Sequence, residues 1–402
     1  MGTDLNGSAG IMTRIEPFSP ERIFCGDMGR NQDPPRVLIS PHRYIQGKDV
    51  LDHLGRYLSI LPSRRPVALM TEGSRERVGA KIEASLKRAG IETHIEIFRG
   101  ECSREEVERV AAAVRKSGWA ADSVIAAGGG KCMDAGKCVS FLLGVPIIIC
   151  PTIASTDAPC SAVSVMYTQE GVGIGPEFFP NSPALVVVDT RLIASSPIRH
   201  FIAGMGDALA TFYEARTCFR NPSARNMVGA RITIAALSLA ELCAKTVFED
   251  GRKAIEAVRC GEVNLFVENI IEANTLLSGV GFESGGLSIA HAMAAGFTVI
   301  PTLHRDFFHG ELVGISLIAQ LILEGEKDEA RKVLTFLKAV GLPATLDQLQ
   351  LNIQHDARAL MEAMTAAMKE PFANTEPFEV TPQSLFSALI KADQLARESF
   401  GR

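Results

Sequence analysis

From Pro35 onward, short apolar runs alternate with longer amphipathic segments. Apolar runs of roughly four to eight residues suit strands, whereas apolar positions recurring every three or four residues suit helices. On that pattern VLIS (38–41) predicts a strand and VLDHLGRYLSIL (50–61) a helix. PVALMT (66–71) predicts a strand, SRERVGAKIEASLKRAG (74–90) a helix and THIEIF (93–98) a strand. SREEVERVAAAVRKSG (103–118) opens on a capping serine and an acidic first turn, and SVIAA (123–127) follows as a strand. PIIIC (146–150), SAVSVMYT (161–168) and ALVVVDT (184–190) are further strands, with GVGIGPEFFPNSP between the last two as a loop or hairpin. Strands alternating with helices imply βαβ units and a mainly parallel sheet. Past Ser195-Ser196-Pro197 the chain turns to long Ala/Leu/Glu/Met-rich segments with helical patterning. The expected organisation is a polar, flexible leader over 1–34, an α/β domain over 35–196 and an all-helical domain over 197–402.

Composition narrows the class. The 402 residues are 47% hydrophobic and 22% charged, and the net charge is 41 − 46 = −5. Intrinsic disorder needs low hydrophobicity with high net charge, so it is excluded. The chain is too long for one core, which favours two domains. A mildly acidic balance without a basic block argues against a nucleic-acid partner. FLLGVPIIIC, the longest apolar run, is too short to span a bilayer, and no membrane partner is expected. The first twenty residues lack the apolar segment of a signal peptide. Nine scattered cysteines without a CxxC suit reduced thiols, and a cytoplasmic location is expected.

Candidate chemistry begins at SVIAAGGGKCMDAGK (123–137), a strand that runs through Gly128, Gly129 and Gly130 into a helix carrying Lys131 and Lys137. Consecutive glycines let a backbone approach a ligand, and helix-start amides attract phosphate. The spacing matches neither GxxxxGK[ST] nor GxGxxG, so a tight turn packed on glycine stays open beside phosphate binding. GVGIG (171–175) precedes Pro176 rather than a helix and predicts a turn. Glu72, after PVALMT, suits either ribose hydroxyls or plain solvent exposure.

Of eight histidines, His291 stands out on the small, apolar segment ESGGLSIAHAMAAG, and His304 and His309 share LHRDFFHGEL. Asp207 in AGMGDALATFYEA reads either as a helix cap or as a metal ligand. One acid with two histidines is a three-ligand set for catalytic Zn²⁺, and also serves Fe²⁺.

Together GGGKCMDAGK (128–137), PTIASTDAPCSAVSVMYT (151–168), AGMGDALATFYEA (203–215), and ESGGLSIAHAM (283–293) with HGE (309–311) resemble the glycerol dehydrogenase branch of the iron-containing alcohol dehydrogenases. The resemblance implies an N-terminal Rossmann-like NAD domain and an all-α C-terminal domain, the dehydroquinate synthase-like fold, with a metal between them. It implies Asp207, His291 and His309 as zinc ligands, and Gly128, Gly129, Gly130, Lys131 and Asp134 at the NAD pyrophosphate. Thr152, Ser155, Ser161, Val163 and Tyr167 would line the cofactor. Asp157, otherwise an Asx-turn residue, would bind a substrate hydroxyl. His304 is a proton-relay candidate because it lies near His309 in sequence. The implied reaction takes glycerol, or a related vicinal diol, to the hydroxyketone with hydride passing to nicotinamide, in a homo-oligomer, an octamer by resemblance.

Three departures accompany it: Thr71-Glu72-Gly73 where the family commonly has an aspartate, Leu312 where a lysine commonly follows HGE, and a longer leader. Two enzymes of the same fold are rivals. A glycerol-1-phosphate dehydrogenase needs a cationic pocket, and a dehydroquinate synthase-like lyase needs several cations where LHRDFF offers only Arg305. A non-catalytic NAD sensor would show a broken ligand set.

Overall fold

Among the described residues eight strands form in chain order: β1 (Tyr44–Gly47), β2 (Pro66–Met70), β3 (His94–Ile97), β4 (Ser123–Gly128), β5 (Ile147–Pro151), β6 (Val163–Tyr167), β7 (Gly173–Phe178) and β8 (Leu185–Asp189). In this computed structural model, which describes residues 18–26 and 33–399, six of them make a wholly parallel sheet in the order β1-β8-β5-β4-β2-β3. β2, β4, β5 and β8 are buried at every position, which explains their near-continuous apolar runs. Alternate residues still serve different cores. Leu69, Val124, Ala126 and Ile149 face one cluster, and Ala68, Met70, Ile125 and Ile148 face the other. The first cluster continues through Leu209, Phe297 and Ile315 into the helical half.

From Thr190 onward every regular element among the described residues is helical. GVGIG proves to be the turn and outer strand of an antiparallel hairpin, β6-β7, separate from the main sheet. No described helix is long and apolar enough to cross a membrane. The cysteines are free, and seven of them are buried.

Three sequence expectations change. VLIS is not a strand, because its backbone is engaged elsewhere: Ser284 Oγ accepts from Ile39 N at 2.8 Å and donates to Ile39 O at 3.1 Å. The first strand is the more polar YIQG, which pairs only with β8 at the sheet edge. The helix over 50–61 is broken into Val50–His53, Leu54–Tyr57 and Leu58–Ile60, the outer two being 3₁₀ turns. Gly55 there sits against the Ser85 carbonyl, where a Cβ would collide. Within the leader, Pro20–Phe24 is helical, and the Cys25 thiol donates to Gly229 O at 2.9 Å. Residues 1–17 and 27–32 lie outside the described residues.

Candidate active site

The sheet places its loops first. The chain passes from β2 out to β3, then returns to lay β4, β5 and β8 on the other side, so its direction reverses between β2 and β4. Ligand crevices in such sheets open at the carboxyl ends of the strands beside this reversal. The glycine turn after β4 and Thr71-Glu72 after β2 both lie there. Thr71 caps the following helix by accepting from Ser74 N at 3.0 Å, and Glu72 is exposed.

At the glycine turn, Gly129 is the N-cap of the helix Gly130–Leu143, and no side chain caps its half-buried amide end. A Cβ on Gly128 would stand 2.6 Å from Cys132 Cβ, and one on Gly136 would stand 2.5 Å from Ala126 Cβ. Glycine is therefore required at 128 and 136 for helix–strand packing. Thr152 N donates to Gly128 O at 3.0 Å and joins the turn to the loop after β5.

The charged residues of this region divide. Lys137 is buried and donates to Asp134 Oδ1 (3.0 Å), Ala158 O (2.7 Å), Ser161 Oγ (3.3 Å) and Val163 O (2.7 Å). Asp134 Oδ2 accepts from Val165 N at 3.0 Å. Asp134, Lys137, Ser161 and Val163 thus pin the start of β6 to the helix Gly130–Leu143. Lys137, expected to add charge for a phosphate, is spent in the interior. Lys131 instead reaches Glu101 at 2.6 Å and lies 5.2 Å from the centre of the Tyr167 ring. Thr152 and Ser155 are buried in the loop after β5.

His304 joins that wall. Its ring centre is 5.9 Å from that of Tyr167, and a Cβ on Gly171 would lie 2.6 Å from its Nε2. Burial and then Lys131 lower its pKa. It therefore sits beside Tyr167, Gly171 and Lys131.

That cluster is Asp207, His291 and His309, whose ligand-capable atoms all lie within 4.8 Å of one another. Asp207 lies on the helix Ile198–Arg220, His291 on Ile289–Phe297, and His309 opens His309–Leu323. Glycines permit the convergence: a Cβ on Gly206 would strike the Gly310 carbonyl, and one on Gly310 would strike Ala203 O. Asp207 Oδ1 lies 3.2 Å from His291 Nε2 and 3.4 Å from His309 Nε2. It is buried without a hydrogen-bond partner. A buried carboxylate oxygen facing two imidazole nitrogens is costly unless a cation completes the group, so the donor set fits a divalent metal. Despite burial, His309 and His291 hold the Asp207 carboxyl below its usual range.

Asp157 flanks the cluster. Its N–H donates to Asp207 Oδ2 at 3.3 Å, and its Oδ2 accepts from Ser278 Oγ at 3.1 Å. Burial and then Asp207 push its carboxyl well above the usual range.

The match to known proteins follows this geometry. The family model for iron-containing alcohol dehydrogenase covers residues 41–190. A glycerol dehydrogenase of Escherichia coli O6:H1 is 43% identical over 89% of this chain and 97% of its own length. One from Pseudomonas putida is 44% identical over 90% and 98%. The chain belongs to the glycerol dehydrogenase branch of the iron-containing alcohol dehydrogenase family.

Membership in that family makes the chain an oxidoreductase. Its fold agrees with a probable glycerol dehydrogenase from Sinorhizobium meliloti, 36% identical with TM-score 0.83, over 90% of this chain and 99% of that one. Glycerol dehydrogenase from Schizosaccharomyces pombe gives 31% and 0.85, over 91% and 93%. Sequence reasoning did not single out Glu214, whose Oε2 meets His291 Nδ1, or Ser278, which donates to Asp157. Glu214 was findable, because it follows Asp207 by seven residues and so lies on the same helix face two turns on. Ser278 gave no signal because it meets Asp157 only across 121 residues of chain.

Proposed function

We propose that the chain oxidises glycerol, or a closely related vicinal diol, with NAD as hydride acceptor and a divalent metal, zinc or else ferrous iron, held by Asp207, His291 and His309. The observation that carries this reading is the partnerless Asp207 Oδ1 converging with two imidazole Nε2 atoms. When bound there, a divalent ion would act as a Lewis acid on the reacting hydroxyl, and the nicotinamide would accept the hydride.

The protein's own groups supply binding and orientation. The amide end at Gly129–Gly130 and its helix dipole suit a pyrophosphate, with Lys131, Thr152, Ser155 and Tyr167 around it. Asp134, Ser161 and Val163 support that wall from behind. Asp157, held by Ser278, is positioned to take a second substrate hydroxyl, which favours diols over simple alcohols. The site then lies between a sheet half, 35–196, and a helical half, 197–402. Buried reduced thiols suit a cytoplasmic enzyme, and the family resemblance suggests a homo-oligomer.

The test is a spectrophotometric screen of NAD⁺ reduction with glycerol, 1,2-propanediol, 2,3-butanediol and glycerol 1-phosphate, with and without a chelator. Glycerol-dependent NADH formation that the chelator stops is the expected result. Turnover of glycerol 1-phosphate alone, or no turnover by protein loaded with zinc or with ferrous iron, would overturn it.

A further inference from the structure

Behind His291 lies a buried acid that the reaction does not use directly. Glu214 is fully buried, and its Oε1 accepts two backbone hydrogen bonds, from Ser288 N at 2.9 Å and His291 N at 3.0 Å. Its Oε2 meets His291 Nδ1 at 2.5 Å. The other ring nitrogen, Nε2, is the one directed at Asp207 Oδ1. Ser288 is held in turn, its hydroxyl donating to Glu376 Oε1 at 3.1 Å and accepting from Thr375 Oγ1 at 2.8 Å.

We infer that Glu214 is the positioning residue that sets the His291 tautomer, keeping the ring proton on Nδ1 and the Nε2 lone pair free for the metal. This inference rests on the metal reading above. A neutral imidazole carries one proton, and whichever nitrogen bears it cannot ligate. A carboxylate accepts only, so Oε2 opposite Nδ1 demands N–H at that position. Two backbone donors fix Oε1 as an acceptor as well, so neither oxygen can be exchanged for a donor without loss. Partners of this kind orient metal-binding histidines and raise their basicity.

The arrangement makes Glu214→Gln diagnostic. The two N–H groups of Ser288 and His291 require the amide oxygen at the Oε1 position. The amide NH₂ must then face Nδ1, which becomes an acceptor and moves the ring proton to Nε2, against the metal. A nearly isosteric change would therefore be more harmful to zinc binding than Glu214→Ala, which leaves the tautomer free. If Glu214 served packing alone, the order would reverse, because alanine removes far more volume.

The experiment measures the zinc affinity of the full-length protein by competition with a chromophoric chelator, in the parent, Glu214→Gln, Glu214→Ala and Asp207→Ala. The visible spectrum of the cobalt(II)-loaded forms is recorded alongside. We expect Glu214→Gln to lose affinity by about tenfold to a hundredfold and to alter the cobalt spectrum, while NAD binding stays as in the parent. Zinc affinity within twofold of the parent in Glu214→Gln, or a greater loss in Glu214→Ala than in Glu214→Gln, overturns the tautomer assignment. Retention of zinc by Asp207→Ala would instead remove the underlying metal reading, so the two failures are distinguishable. Should Glu214→Gln not fold, zinc affinity in Glu214→Ala decides: a partial loss agrees with a lost orienting partner and a freed tautomer, whereas a value within about twofold of the parent, or a complete loss, overturns the assignment.

Discussion

Asp207 contributes the only carboxylate of the proposed ligand set, and its Oδ1 is the atom both imidazoles face. Asp207→Ala is expected to abolish zinc retention and glycerol oxidation while leaving NAD affinity within about twofold, since the glycine turn lies on separate elements. Elemental analysis beside an NAD titration checks both halves of that statement. Glu283 makes a different kind of prediction. Its buried carboxylate accepts Ala162 N at 3.1 Å through both oxygens, and burial pushes its pKa up to about 7. Because the folded value exceeds the unfolded value of about 4.3, folding favours the protonated acid. Its contribution to stability is full below the unfolded value and is lost as pH rises through about 7. Glu283→Gln should therefore flatten the fall in melting temperature between pH 5 and 8. A fall as steep as the parent's would show that other groups cause it. At this scale the sequence reading named Asp207, His291 and His309, whose side chains converge. It was weakest for Lys137, whose charge looked available to a phosphate but is matched to Asp134 and to the start of β6.

Among elements, the close approach of Ile198–Arg220 to His309–Leu323 decides whether the cluster exists. Gly206 and Gly310 face each other there with no room for a Cβ on either. Gly310→Ala must separate the two helices, and is expected to cost about 1–3 kcal/mol by overpacking. It should also weaken zinc binding, because Asp207 and His309 move apart. Thermal melting with and without zinc measures both effects, and a parental zinc-dependent shift would place the close approach outside the metal's needs. The strands buried on both faces were readable as apolar runs, within a residue or so of their final limits. β1 was not. An edge strand needs only one partner, so YIQG carries little apolar pattern, while the more strand-like VLIS has its backbone bound to Ser284. The broken segment over 50–61 shows the same limit. Its periodicity is helical, but the contact of Gly55 with Ser85, thirty residues on, sets how it winds.

For the whole molecule, a metal that binds only the folded chain stabilises it by mass action. Saturating zinc at about a hundred times its dissociation constant should add about 2.7 kcal/mol, and chelation should remove the same amount. Calorimetry of chelated and reloaded protein measures this, and an unchanged melting temperature would argue against a folded-state metal site. What the sequence by itself determined is the class of each half. Apolar runs interrupted by amphipathic segments dictate a parallel sheet with covering helices, and the later Ala/Leu-rich texture dictates helices. The residue types at 207, 291 and 309 are ones that a divalent metal accepts. Only the tertiary structure decided that these three meet, that Lys137 is turned inward, and that His304 packs beside Tyr167. The physical reason is that patterning reports what each residue prefers to be near, water or core. Which partner it finds depends on helix approach and loop closure, and here those are governed by glycines and backbone carbonyls far apart in the chain.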